Sequence, residues 1–265
     1  MQYLANSLTA VISRRNYVCG AKNWIAEHAG NPATLSSTEA KTILKGAARL
    51  HPSVYTPAPP LLPPDLLTIC TYLDQCPDGL PYKAALTIGF FGFLRSSNLL
   101  CPDATLWGGP HTLSRCQIIP HSSGLIVVLT STKTIRQSSQ PTVLSLPLIP
   151  SSPVCPTSAW LAYTAAYPSH PSSPAFTHGS GAPLLPSHLV NVMRSVLANS
   201  GCQYAHKVSM HSLRRGGTWA AVASQANQED IASHGTWTSH SGMKAYLPSQ
   251  PSTRVAARLA TLFAL

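Results

Sequence analysis

Six prolines crowd into residues 51–64, H-P-S-V-Y-T-P-A-P-P-L-L-P-P, and no helix or central strand can run through such a stretch. Each ring fixes φ near about −65° and removes a backbone donor, so the segment reads as an extended connector. The 265-residue chain is therefore expected to divide into 1–50, a proline-rich linker over 51–64, and 65–265. Each flank has to bury its own apolar residues. In the first, Tyr3, Leu4, Leu8, Val11 and Ile12 recur at helical spacing, and Trp24 and Ile25 lie on a second segment ahead of the breaker Gly30-Asn31-Pro32. Ser36-Ser37-Thr38-Glu39 then opens a third helix with Ile43, Leu44, Ala47 and Leu50 on one face. Three short helices make a small bundle.

The second flank is richer. Pro63-Pro64-Asp65 opens a helix carrying Leu66, Leu67, Ile69, Cys70 and Leu73, and Cys76-Pro77-Asp78-Gly79 is a turn. Residues 82–94 are almost continuously apolar, which predicts a helix buried on most faces, with Arg95 directly after it. Short β-branched runs over 116–120, 124–130 and 142–149 predict a small antiparallel sheet. The polar loop S-T-K-T-I-R-Q-S-S-Q between the second and third runs would present Lys133 and Arg136 at a hairpin tip. Helices follow over 158–167 and 185–199, and an amphipathic, mildly basic tail helix over 252–265. The class is mainly α with a small antiparallel β-sheet.

Charge narrows the partners. Lys and Arg number 18 against 8 Asp and Glu, a net +10. The excess is regional: residues 1–79 hold six basic and five acidic side chains, residues 80–265 twelve and three. A one-sided surplus of this kind suits the neutralisation of phosphates, so nucleic acid is the expected partner. Seven scattered cysteines with no C-x-x-C fit reduced thiols in a nuclear or cytosolic protein. Eleven dispersed histidines, several beside Pro or Ser as at His51, His121 and His170, read as loop residues and not as a metal centre. A secretory leader and a membrane-length apolar run are both missing from the pattern, so neither secretion nor spanning is expected.

The stretch S-M-H-S-L-R-R-G-G-T-W-A-A concentrates the chemistry. Leu213, Trp219, Ala220, Val222 and Ala223 predict a helix beginning near Ser212, and His211 and Arg214, three apart, would sit side by side at its start. Outward-facing N–H groups at a helix start favour an anion there. Arg95, at the end of a buried helix, also needs an anionic partner. Residues 80–265 offer only Asp103, Glu229 and Asp230, so a phosphate from outside is the economical choice. Downstream, Ser239 can cap a short helix carrying Met243 and Tyr246, and Trp237 lies nine residues before Tyr246.

The order Arg95, Lys133, His211-x-x-Arg214, Trp237, Tyr246 resembles the tyrosine recombinase (phage integrase) family, with the flavour of its eukaryotic mobile-element branch, the Crypton, Ngaro and DIRS-type enzymes. The resemblance covers roughly residues 82–247 well and the N-terminal part loosely. It implies a catalytic domain over 65–265, tail helix included, behind a helical, SAM-like core-binding domain. That domain usually has more helices than the three that fit before the prolines, so here it would be incomplete. It also implies that Tyr246 attacks a DNA phosphodiester and forms a 3′-phosphotyrosyl link, with no metal and no cofactor.

In that scheme Arg95 and Arg214 grip the non-bridging oxygens, for which the planar guanidinium fork is suited. His211 takes the phenol proton, Trp237 donates its indole N–H to the phosphate, and Lys133 protonates the departing 5′ oxygen. Arg214 is preferred over Arg215 because of its spacing from His211, and Lys133 over Arg136. Trp237 is preferred over His234 because the nine-residue interval to the tyrosine matches the family's His/Trp position. Arg136, Arg215, Lys244 and His234 remain as DNA contacts, although His234 also reads as a helix-end residue. The resemblance further implies double-stranded DNA as partner, a homo-tetramer with the tail helix passed to a neighbour, and a nuclear setting. A relaxing activity like that of a type IB topoisomerase would use the same residues, and a domesticated DNA binder would keep the fold without cutting.

Overall fold

The computed structural model describes residues 57–104, 112–130, 141–237, 240–244, 246 and 247, together with Val18 and Ala21. The chain falls into two compact units, Met1–Pro57 and Ala58–Leu265. Of the first unit, Val18 and Ala21 are helical and Val18 is buried. The three helices expected over 1–50 otherwise lie outside the described residues, as do Lys133, Arg136, Ser239 and the tail helix.

The second half of the proline run belongs to the second unit. Leu61 is fully buried, and its N–H donates to the Ser212 carbonyl at 2.9 Å. Helix α1 (Pro63–Asp74) begins on two prolines, where the missing donors cost nothing. The Leu62 N–H, one of the orphan donors before it, goes to Asp65 Oδ2 at 2.8 Å. Leu66, Ile69, Cys70 and Leu73 form the buried stripe. Burial pushes the Cys70 thiol up to about 12, and the six described cysteines are all free thiols.

Helix α2 (Gly79–Phe91) is buried along Ala84, Ala85, Leu86, Ile88 and Phe90, as its unbroken apolar run requires. Its bounds differ from the expected 82–94 by three residues at each end. Pro81 fits within a first helical turn, which lets the helix start earlier. At the other end Phe93 turns to a left-handed φ of 47°, which stops it. Arg95 consequently does not end the long helix. It stands after a turn, as the N-cap of the four-residue helix α3 (Ser96–Leu99).

Three antiparallel strands follow, β1 (Ile118–His121), β2 (Gly124–Leu129) and β3 (Thr142–Pro147), in the order β1-β2-β3. The register pairs Ile118 with Val127 and Val127 with Leu144, all three buried, and puts Leu125 against Leu146 one step along the same face. That face packs on helix α4 (Pro156–Ala166), which also packs on α2 and presents Trp160 and Tyr163 to Phe176. A buried charge in this core is Arg115, which donates from Nη2 to the Tyr163 hydroxyl at 2.9 Å.

Helix α5 (Pro186–Asn199) closes the core with Leu189, Met193, Val196 and Leu197. Helix α6 (Met210–Ala223) begins two residues earlier than expected, because Ser209 caps it and donates its own N–H to Ser212 Oγ at 3.0 Å. Its glycines explain how closely it is approached. A Cβ on Gly216 would fall on the Leu61 carbonyl, and one on Gly217 on the Phe90 carbonyl. Two bare positions thus let α6 lie against the backbone of both the entering segment and α2. Helices α7 (Gln228–His234) and α8 (His240–Lys244) are the last described elements of the unit. They enclose a second, smaller core of Phe93, Ile231 and Met243, with Ala221, Val222, Ala232, Trp237 and Leu247 around it. No helix among the described residues is long and apolar enough to cross a membrane.

Candidate active site

The first turn of α6 places His211 outward and Arg214 inward. His211 is exposed along its rim, whereas Arg214 is 2 % exposed. Burying a guanidinium requires that its donors be used. Arg214 Nη1 donates to the Phe93 carbonyl and Nη2 to the Gly235 carbonyl at 2.6 Å. The left-handed turn that ends α2 and the turn that ends α7 thus both supply a bare carbonyl to one side chain. Its Nε is buried with no partner among the described residues. Arg214 forms the floor of the site, fixed at two corners with donors to spare.

Trp237 and Tyr246 stand above it. The Arg214 Cζ lies 3.9 Å from the Trp237 ring centroid and 5.1 Å from that of Tyr246, and the two rings are 5.4 Å apart. Guanidinium N–H bonds lie in the plane of the group, so a ring on its face steadies it without taking donors. The position expected to offer its indole N–H to a phosphate is therefore seen here as the cover of Arg214. Tyr246 follows α8 in a turn, two residues past Lys244, and is not on the helix itself. Its backbone carbonyl accepts from the Trp219 indole at 3.0 Å. Its hydroxyl is 3.4 Å from His211 Nδ1, a long hydrogen bond whose direction follows the imidazole tautomer.

Arg95 reaches the same place from α3. Its Nη1 donates to Thr236 Oγ1 at 3.2 Å. Burial lowers its pKa, with the nearby Tyr246 acting in the opposite sense. Burial, and then the charge of Arg95, also lower that of Arg214, without removing its charge at neutral pH. Neither arginine is paired with a carboxylate among the described residues. Arg95, half-buried, and Arg214, lowered by burial and by the charge of Arg95, define a place where an anion would relieve both.

The same charges act on His211. The protein packed about its ring, followed by Arg214, Arg215 and Arg95, holds its pKa below the ordinary 6.5. The imidazole is then neutral at pH 7 and free to accept a proton. Rates governed by this base should stay flat as the pH falls to 6.5 and drop only below it, read as the acid limb of kcat/KM for the free protein. Stability moves with it. Between the lowered pKa and 6.5 the unfolded chain binds more protons than the folded one, so this contribution is lost as the pH falls through that window.

The remaining expected residues are placed as follows. Arg215 donates from Nη1 to the Ala58 carbonyl at 2.9 Å, and its Cζ lies 5.9 Å from the Tyr246 ring. His234 ends α7, with Nε2 donating to the Phe91 carbonyl at 2.8 Å and its ring edge-on to Phe93. Lys244 is exposed at the end of α8. The structure brings Arg95, His211, Arg214, Trp237 and Tyr246 together from four separate elements and turns.

Similarity to known structures bears on this arrangement. The pre-cleavage complex of the XerH site-specific recombinase with its difH substrate matches with a TM-score of 0.53 at 14% identity, over 76% of this chain and 52% of the other. The Tn1549 transposon integrase in complex with circular intermediate DNA matches with a TM-score of 0.57 at 12% identity, over 91% and 84%. The fold is that of the tyrosine recombinase catalytic domain. The same integrase in complex with transposon right end DNA gives a TM-score of 0.54 at 12% identity. This chain spans about half the length of the XerH chain. No protein-family model matches the sequence, and no curated protein matches it by sequence.

Four participants were not singled out by sequence. Trp219 fell on the apolar face of its helix and looked like core. Gly235 and Thr236 sit beside Trp237 with only a turn signal to mark them. Phe93 contributes through its carbonyl, which no side-chain pattern reports.

Proposed function

We propose that this chain is a DNA strand transferase acting in site-specific recombination or integration, with Tyr246 as nucleophile. The observation that carries the reading is the Tyr246 hydroxyl at 3.4 Å from a neutral His211 Nδ1, over Arg214 and beside Arg95, in a site without carboxylates among the described residues. A phenol needs a base, and an attacking oxygen needs the phosphate charge neutralised before it can approach. Tyr246 Oη bonds to phosphorus as the P–O5′ bond breaks. The phenol proton passes to His211, and the 5′ oxygen leaves with a proton from Lys133. The 3′-phosphotyrosyl link conserves the bond energy, so a 5′ hydroxyl of a second strand reverses the step on a new partner. Arg95 and Arg214 hold the non-bridging oxygens of the five-coordinate transition state, and Arg215 and Lys244 meet the flanking backbone.

The basic excess of residues 80–265 supports DNA as substrate, and the DNA complexes among the structural neighbours agree with it. A transposon integrase among those neighbours supports a mobile-element setting, and the order of site residues favours the Crypton, Ngaro and DIRS-like branch. Exchange between two duplexes takes a homo-tetramer, for which the tail over 252–265 is the contact we expect, and a nuclear location. The test is covalent trapping: purified protein is incubated with DNA carrying the element's ends and quenched in SDS. A protease-sensitive adduct whose nucleotide maps to Tyr246 is expected. DNA that is bound but never linked would replace this reading with a non-cutting binder.

A further inference from the structure

We propose that Thr236 is the positioning residue for Arg95, a role that rests on the strand-transferase reading above. Thr236 occupies the left-handed region with φ 55°, an unusual conformation for a β-branched side chain. Three consecutive hydrogen bonds impose it. The Gly235 N–H donates to the Ile231 carbonyl at 2.9 Å, that of Thr236 to Ser233 at 3.0 Å, and that of Trp237 to Ala232 at 2.9 Å. Glycine is the residue such a turn favours, and threonine adds to it a hydroxyl. That hydroxyl accepts from Arg95 Nη1 at 3.2 Å, across 141 residues of sequence. Strained backbone retained at a site is a sign of use there.

The neighbours on either side make the turn a template. Gly235 gives its carbonyl to Arg214 Nη2, and a Cβ on it would run into the Trp237 ring. Trp237 in turn covers the Arg214 guanidinium. One three-residue turn therefore sets both arginines: Arg214 through a carbonyl and a ring, Arg95 through the Thr236 hydroxyl. Among the described residues Arg95 is anchored by one nitrogen, which leaves its other donors for an incoming anion. The bond to Thr236 fixes the spacing between the two guanidinium groups, the quantity a phosphate with two non-bridging oxygens reads.

The experiment compares Thr236→Gly and Thr236→Ser with wild type, each also made in an Arg95→Ala background. Single-turnover covalent cleavage, Tm and the Arg95 Nε–H signal in 15N NMR are measured. Thr236→Gly suits the backbone and should keep or raise Tm, yet it should slow cleavage by roughly 10-fold or more. Thr236→Ser should restore the rate, and in the Arg95→Ala background Thr236→Gly should cost nothing further. A Gly variant that cleaves like wild type, or that slows equally without Arg95, overturns the assignment. Should wild type cleave no DNA, the strand-transferase reading fails on its own account, and the Arg95 signal decides the remainder. Its broadening or averaging in Thr236→Gly but not in Thr236→Ser supports the anchor, and an unchanged signal in both refutes it.

Discussion

Tyr246→Phe is expected to form no covalent protein–DNA adduct under conditions where wild type accumulates one, with DNA affinity and Tm close to wild type. The change removes a single oxygen. The phenyl ring keeps its place 5.4 Å from Trp237, and the backbone remains tied to Trp219 through the carbonyl. The hydroxyl's neighbours are the exposed His211 and the Arg214 guanidinium, which keeps its bonds to the Phe93 and Gly235 carbonyls when the oxygen is removed. Fold and nucleophile are thereby separable in this variant. The measurement is a denaturing gel after SDS quench, alongside anisotropy on the same duplex. An adduct that persists in the Phe variant means that another residue attacks, and the Tyr246 assignment falls.

Arg214→Gln should have a different signature, because here fold and chemistry share one side chain. The two carbonyls that Arg214 satisfies, those of Phe93 and Gly235, lose charge-assisted donors in a buried place. Each such bond contributes on the order of 1.5–3 kcal/mol, so a stability loss of about 3–6 kcal/mol is expected. Cleavage should fall by at least ~10²–10³ from the loss of one preorganised donor to the transition state. Arg95→Gln touches a single hydroxyl and lies nearer the surface, so its rate penalty should come with a smaller drop in Tm. Calorimetry and single-turnover cleavage at saturating protein separate the two effects. A Gln variant that loses Tm but cleaves within ~3-fold of wild type would make Arg214 a scaffold residue only.

Much of this organisation was legible from the chain because it is periodic. The buried stripe of α1, the short β-branched runs that become β1, β2 and β3, and the helical segment that becomes α5 all follow from residue type and spacing. The cluster of His211, Arg214, Trp237 and Tyr246 was legible from residue type and interval. What stayed hidden depends on backbone. Nothing in the apolar run I-G-F-F-G-F-L-R foretells that Phe93 turns left-handed, shifts α2 by three residues and offers a carbonyl to Arg214. Trp219 was hidden differently, since an indole on a buried face and an indole hydrogen-bonded to a distant carbonyl look alike in one dimension. The meeting of Arg95 with Thr236 depends on how α3 and α7 meet in space, and no local signal encodes that.

The small core of Phe93, Ile231 and Met243 bears on when the proposed nucleophile is available. Among its described residues, the segment carrying Tyr246 is anchored by the fully buried Met243, by Leu247 at the edge of the same small core and by the Trp219 indole hydrogen bond. Freeing it would cost about 2–3 kcal/mol for Met243 and ~1 kcal/mol for the bond, well short of unfolding the unit. A gap of that size corresponds to roughly one molecule in a few hundred to a thousand with the tyrosine withdrawn at any instant. Amides of α8 should then exchange through a local opening while those of α2 wait for global unfolding, and equal protection of the two helices would contradict it. The proposed catalytic tyrosine is in this sense a ligand of its own domain, held by a small free-energy gap and open to competition.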